Sequence, residues 1–170
     1  MSRSGIILSI SFFLFFIFQV ILFKKLVLFN TAFCFIYVAF ILLLPIETNP
    51  IALMLTSFGL GLLLDIFYDH QGMHAAATVA VAYVRNYWLT AITPQGGYDA
   101  GAIPTLANNG FTWFITYSIP LITLHHLILF FIDAGGFNLI GITLLKSLNS
   151  ALFTMMVLLL HQYVFYQRTR

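Results

Sequence analysis

From residue 5 to residue 23 the chain carries no charged side chain, and the same holds for residues 26–46 and 48–64. A helix needs roughly 20 apolar residues to cross about 30 Å of hydrocarbon, so runs of this kind are the signature of membrane spans. Only 7% of the 170 residues are charged, against roughly 25% in a soluble domain. Too few charges remain to build a water-facing surface, and the 19 Phe and 8 Tyr residues suit an exterior of lipid and headgroups.

Charged or Pro/Gly-rich interruptions divide the chain into six expected transmembrane helices at about 5–23, 28–44, 51–68, 73–89, 111–132 and 138–164. Together they make a single all-α bundle spanning residues 1–170. The first run is longer than a signal-peptide core, lacks a small-residue cleavage site and precedes further spans, so it is expected to be retained. Asp69, His70, Gln71 and Gly72 form a tight turn that makes helices 3 and 4 antiparallel neighbours. Residues 93–110, with Pro94, Gly96, Gly97, Gly101 and Pro104, form one long loop, and Pro120 is expected to bend the fifth helix.

Basic residues favour the cytoplasmic side. With both termini there, Arg3, Arg85, Arg168 and Arg170 lie inside against Lys24 and Lys25 outside. The seven basic residues are scattered, with only Lys24 and Lys25 adjacent, which leaves no basic face for nucleic acid. The single Cys34 excludes a disulfide framework and a cysteine metal site, and reads as a small buried hydrophobe.

Lipid offers no hydrophobic drive for helices to associate, so close packing relies on small residues. Ser57 with Gly61, Ala76 with Ala80, Thr78 with Ala82 and Ser147 with Ala151 have the required four-residue spacing. Their concentration in helices 3 and 4 marks that hairpin as the packing centre. Asp65 lies deep in helix 3, where a carboxylate costs about 2.5 to 3.5 kcal/mol. Lys146 is equally out of place in helix 6, and the two are expected to pair.

His70 and His74 fall at the outer turn, His125 and His126 a turn or two inside the outer end of helix 5, and His161 near the opposite end. Only His74 with His125 or His126 approaches the matched depth that bis-histidine haem ligation requires, and no His-Glu-x-x-His stretch occurs. The histidines therefore read as hydrogen-bonding groups, with no metal and no cofactor expected. No nucleophile motif is present, and Gly96-Gly97 and Gly135-Gly136 read as turn formers. Nothing in the sequence argues for an enzyme.

The stretch from Phe58-Gly59-Leu60-Gly61 to Asp65-Ile66-Phe67, the turn at Asp69–Gln71, and Gly72-Met73-His74-Ala75-Ala76 through Ala82-Tyr83-Val84 resemble the MreD family of bacterial rod shape-determining proteins. Gln19 and the apolar run ending at Leu44-Pro45 add to the likeness, which covers residues 12–88 best. The chain departs from the family at Asn30-Thr31-Ala32 and at His74, where many relatives carry basic residues or, at the first, Pro. The resemblance implies a non-enzymatic inner-membrane scaffold of the cell-elongation complex. Its partners would be the bitopic protein MreC and, indirectly, MreB, RodA and a penicillin-binding peptidoglycan synthase. It also implies a fold like the substrate-binding subunits of energy-coupling-factor transporters. That fold supplies the alternative function, a vitamin-type transport subunit with Asp65, Asp69, His70, His74, His125 and His126 lining an outward pocket. The residues expected to pack the bundle or meet a partner are Gly59, Gly61, Asp65, Gly72, His74, Ala76, Ala80 and Lys146.

Overall fold

In a computed structural model the chain is a bundle of α-helices; Arg3–Phe165 is described, with side chains from Ile6 onward. Arg168 and Arg170 and the side chain of Arg3 lie outside the described residues. Helix α1, Arg3–Phe18, continues into a π-helical turn, Gln19–Phe23. After a buried connecting segment come α3, Pro50–Tyr68, and α4, Met73–Ala91, then a long loop holding the short α5, Leu106–Asn109. Helices α6, Phe111–Asp133, and α7, Ile140–Phe165, complete the bundle. Four helical stretches are long and apolar enough to cross a membrane: Ile6–Phe23, Pro50–Tyr68, Phe111–Asp133 and Ile140–Phe165. Helix α4 has the length, but His74, Arg85 and Asn86 lower its hydropathy, and its neighbours bury the first two.

The second expected helix does not form as such. Residues 25–49 begin with a two-stranded hairpin, β1 Val27–Leu28 and β2 Ala32–Phe33, turned by Phe29 and Asn30 at φ 53° and 55°. The run then proceeds without regular structure to the short α2, Val38–Leu42. Every residue from Cys34 to Leu44 is buried. This segment still crosses the bundle. At one end Lys24 donates to the carbonyl of Phe67; at the other the Glu47 carboxylate accepts from Gly101 N–H at 3.3 Å and Ile46 N–H donates to Ala102.

Irregular backbone at membrane depth is tolerated only where protein satisfies its polar groups. Here the surrounding side chains do so. Phe33 N–H donates to Ser150 Oγ at 2.9 Å and Phe35 N–H to Thr154 Oγ1 at 3.0 Å. Gln19 Nε2 donates to the Cys34 carbonyl at 3.0 Å, and Tyr117 Oη to that of Leu42 at 2.8 Å. Gln19, which opens the π-helical turn, is the one buried residue among the described side chains of α1 and that turn, whose remaining surface is largely open.

The other helices follow local signals. Asn49 caps α3 by accepting from Ile51 N–H at 2.9 Å and Ala52 N–H at 3.2 Å, with Pro50 at the first helical position. Asp69 ends α3 in the left-handed region (φ 56°), and Gly72 opens α4 at φ +84°, where a side chain would be strained. Pro120 lies inside a continuous α6 and lacks the N–H that Thr116 would otherwise receive. Trp88 Nε1 supplies that bond from α4 at 3.1 Å. Leu106 N–H donates to Gln162 Oε1, and Ile7 and Leu8 face Gly101 and Ile103 across a cleft. Both ends of the described chain therefore lie at the loop end of the bundle.

Candidate functional site

Helices α3 and α4 meet along their length around Gly61. A Cβ built at Gly61 would stand 2.4 Å from Ala75 Cα and 2.6 Å from Thr78 Oγ1, closer than any side chain can approach. Across the same contact Thr78 Oγ1 reaches the Ser57 carbonyl at 2.9 Å. Of the expected small-residue pairs, Ser57 with Gly61 and Thr78 with Ala82 face the interior, as do Ser147 and Ala151 on α7. Ala76 is exposed, Ala80 is half-buried, and a Cβ at Gly59 would meet nothing within 4 Å. These three lie on the outer face of the hairpin and not in its seam.

Asp65 is buried, but Lys146 is not its partner. Its Oδ1 accepts from His74 N–H at 2.9 Å and its Oδ2 from Ala75 N–H at 3.0 Å. The carboxylate thus caps the first turn of α4, where unpaired N–H groups and the helix dipole favour a negative charge. Lys146 sits half-buried on α7 and forms no ion pair with Asp65. The expected ion pair between helices 3 and 6 is replaced by a contact within the α3–α4 hairpin.

Beside this cap lies an aromatic and imidazole core. Tyr37 Oη stands 2.7 Å from His74 Nδ1 and 2.6 Å from His125 Nε2, bridging two rings that sequence depth had matched. His126 bonds the Ile122 carbonyl through Nδ1 (2.7 Å) and Thr154 Oγ1 through Nε2 (3.1 Å). The Phe35 ring packs against His74, His125 and His126 at centroid distances of 5.5, 6.0 and 5.4 Å. Gln19 Nε2 ties Tyr68 Oη in at 2.7 Å. The rings of Phe35 and Tyr37 therefore fill the space among these histidines. His161 lies apart, between Phe15 and Phe165.

Arg85, counted with the inside cations that set the orientation, does not flank the span in the open. Its side chain is fully buried in the bundle, with Nε donating to Tyr117 Oη at 2.8 Å and Nη2 to the carbonyls of Leu44 and Pro45. Two of those acceptors lie just past the end of α2, where a cation complements the helix dipole. The orientation argument therefore loses one of its four inside cations.

Tyr37, Tyr117, Ser150 and Thr154 were not singled out from the sequence. A usable signal was present on α7, because Thr143, Ser147, Ser150 and Thr154 recur at helical spacing and mark a polar stripe in an apolar helix. All four are buried. Outside this core, a cleft of about 530 Å³ opens between α1 and α7, lined almost wholly by apolar side chains such as Leu14, Phe18, Leu160 and Val164.

These features define a helical protein built for a membrane. No family model, curated protein or solved structure matches the chain.

Proposed function

We propose that the chain is a non-enzymatic scaffold of the bacterial cell-elongation (rod) complex, anchored in the inner membrane by six crossings with both termini cytoplasmic. It holds an MreC-like bitopic protein and, through it, MreB, RodA and a penicillin-binding synthase, and so positions peptidoglycan synthesis. The observation that carries this reading is the use made of the residues behind the MreD resemblance. Gly61 admits Ala75, Asp65 caps α4, and Gly72 permits the turn between them. All three shape the seam between α3 and α4, and the carboxylate has both oxygens engaged by backbone.

Six crossings follow if the buried 25–49 segment and α4 are counted with the four apolar helices. A vitamin-type transport subunit would instead need an enclosed polar pocket near His74 and His125, where Phe35 and Tyr37 now pack. Depletion of the chain in its own cells tests the scaffold. Rods should round up while new wall material loses its pattern along the cell, and unchanged shape and wall synthesis would overturn the proposal.

A further inference from the structure

We propose that Asp65, His70 and His74 bind a divalent transition-metal ion of the zinc type at the turn joining α3 to α4. One ligand atom from each of the three residues lies within 4.8 Å of the others. The two imidazole rings stack, with centroids 5.3 Å apart and planes 15° from parallel. His74 is fully buried with Nδ1 engaged by Tyr37, which leaves Nε2 buried with no partner. His70 Nδ1 is likewise buried and unpartnered. Two orphaned imidazole nitrogens beside a carboxylate carry a desolvation cost that a coordinated cation would remove.

The donor set has the right chemistry. Imidazole and carboxylate together suit zinc and its first-row neighbours, and three protein ligands with one open position form a recognised zinc arrangement. Each Asp65 oxygen accepts one backbone N–H, and a carboxylate offers about four lone-pair sites, so coordination does not require release of the helix cap. The hydroxyl of Tyr37 can accept the Nδ1 proton of His74 and donate its own to His125. This fixes the His74 tautomer with its Nε2 lone pair free, as the second partners of metal-bound histidines do. Tetrahedral zinc holds its ligand atoms about 3.3 Å apart. The half-exposed His70, on the turn itself, is the side chain free to close that distance, and it gives the ion a way in.

With the ion bound, α3, the turn and α4 are clasped at three points. This site goes beyond the scaffold reading and does not rest on it. The test uses the full chain purified in detergent without a histidine tag, stripped with chelator and titrated with Zn²⁺ and with Co²⁺ as an optical probe. One ion per chain is expected, with the cobalt spectrum of a four-coordinate nitrogen and oxygen site. His70→Ala removes a half-exposed ligand whose side chain, among the described residues, caps no helix and packs only on the rings of Tyr68 and His74, and it should weaken binding at least tenfold while the helical content is unchanged. His161→Ala, at the other end of the bundle, should bind as the unaltered chain does. Absence of stoichiometric binding, or equal affinity in His70→Ala, would overturn the proposal whatever the Asp65 and His74 variants do to folding.

Discussion

The carboxylate of Asp65 reaches nine residues along the chain to hold the N–H of His74 at 2.9 Å, so the burial of the acid on α3 is compensated by hydrogen bonds from the start of the next helix. Its second oxygen does the same for Ala75. Asp65→Leu should therefore leave two buried N–H groups bare and lower stability by about 2 to 4 kcal/mol, whereas Asp65→Asn keeps one acceptor and loses about half as much. Thermal unfolding in detergent reads both. A double-mutant cycle with Lys146→Leu should show additivity within about 0.5 kcal/mol, and strong coupling would restore the ion pair that charge counting suggests.

Gly59 and Gly61 look alike in the sequence but differ in surroundings. At Gly61 even a methyl group meets the Ala75 backbone, so Gly61→Ala should force α3 and α4 apart at a cost of about 1–3 kcal/mol. Gly59→Leu adds bulk where nothing stands within 4 Å, and the bundle should melt within a few degrees of the unaltered chain. Equal losses for the two would contradict the observed seam.

Gln19, in the turn after α1, anchors the irregular 25–49 segment through the Cys34 carbonyl and the Tyr37 N–H, and also bonds the Tyr68 hydroxyl on α3. Cys34 is 1% exposed and supplies a reporter beside that anchor. In the folded protein a maleimide should fail to label it. Gln19→Leu should loosen the segment and raise the labelling rate at least tenfold, and equal protection would show that the segment holds without the amide.

Arg85 joins three elements through a forked side chain. Arg85→Lys keeps the charge but not the fork, and should lose on the order of 2 kcal/mol, the worth of one or two charge-assisted bonds. Tyr117→Phe removes one arm together with the bond to the Leu42 carbonyl, and should cost less than Arg85→Leu. Unfolding midpoints of the three variants give the order directly.

Most of the helical plan was legible. Polar breaks at Lys24, Asn49, Asp69 to Gly72 and Gly135-Gly136 placed the bounds of α3, α4, α6 and α7 within two residues. The second run was not legible as irregular backbone, because a segment buried in protein on all sides has the same composition as one bathed in lipid. What separates the two cases lies elsewhere in the chain: Gln19, Ser150, Thr154 and Tyr117 are polar groups placed to bond a backbone that cannot bond itself. Asp65 was read correctly as an acid needing compensation, but an inventory of charges does not see N–H groups. Its partners were the unpaired donors that every helix start presents, nine and ten residues on. Arg85 misled for the related reason that carbonyl acceptors carry no formal charge.

Affinity capture of the chain from native membranes in mild detergent, read by mass spectrometry, tests the scaffold role most directly. Recovery of an MreC-like bitopic protein in stoichiometric amount, retained in Gly59→Leu and lost in Gly61→Leu, is the expected result. Recovery of the chain without such a protein, carrying instead one vitamin-sized molecule per polypeptide, would contradict it.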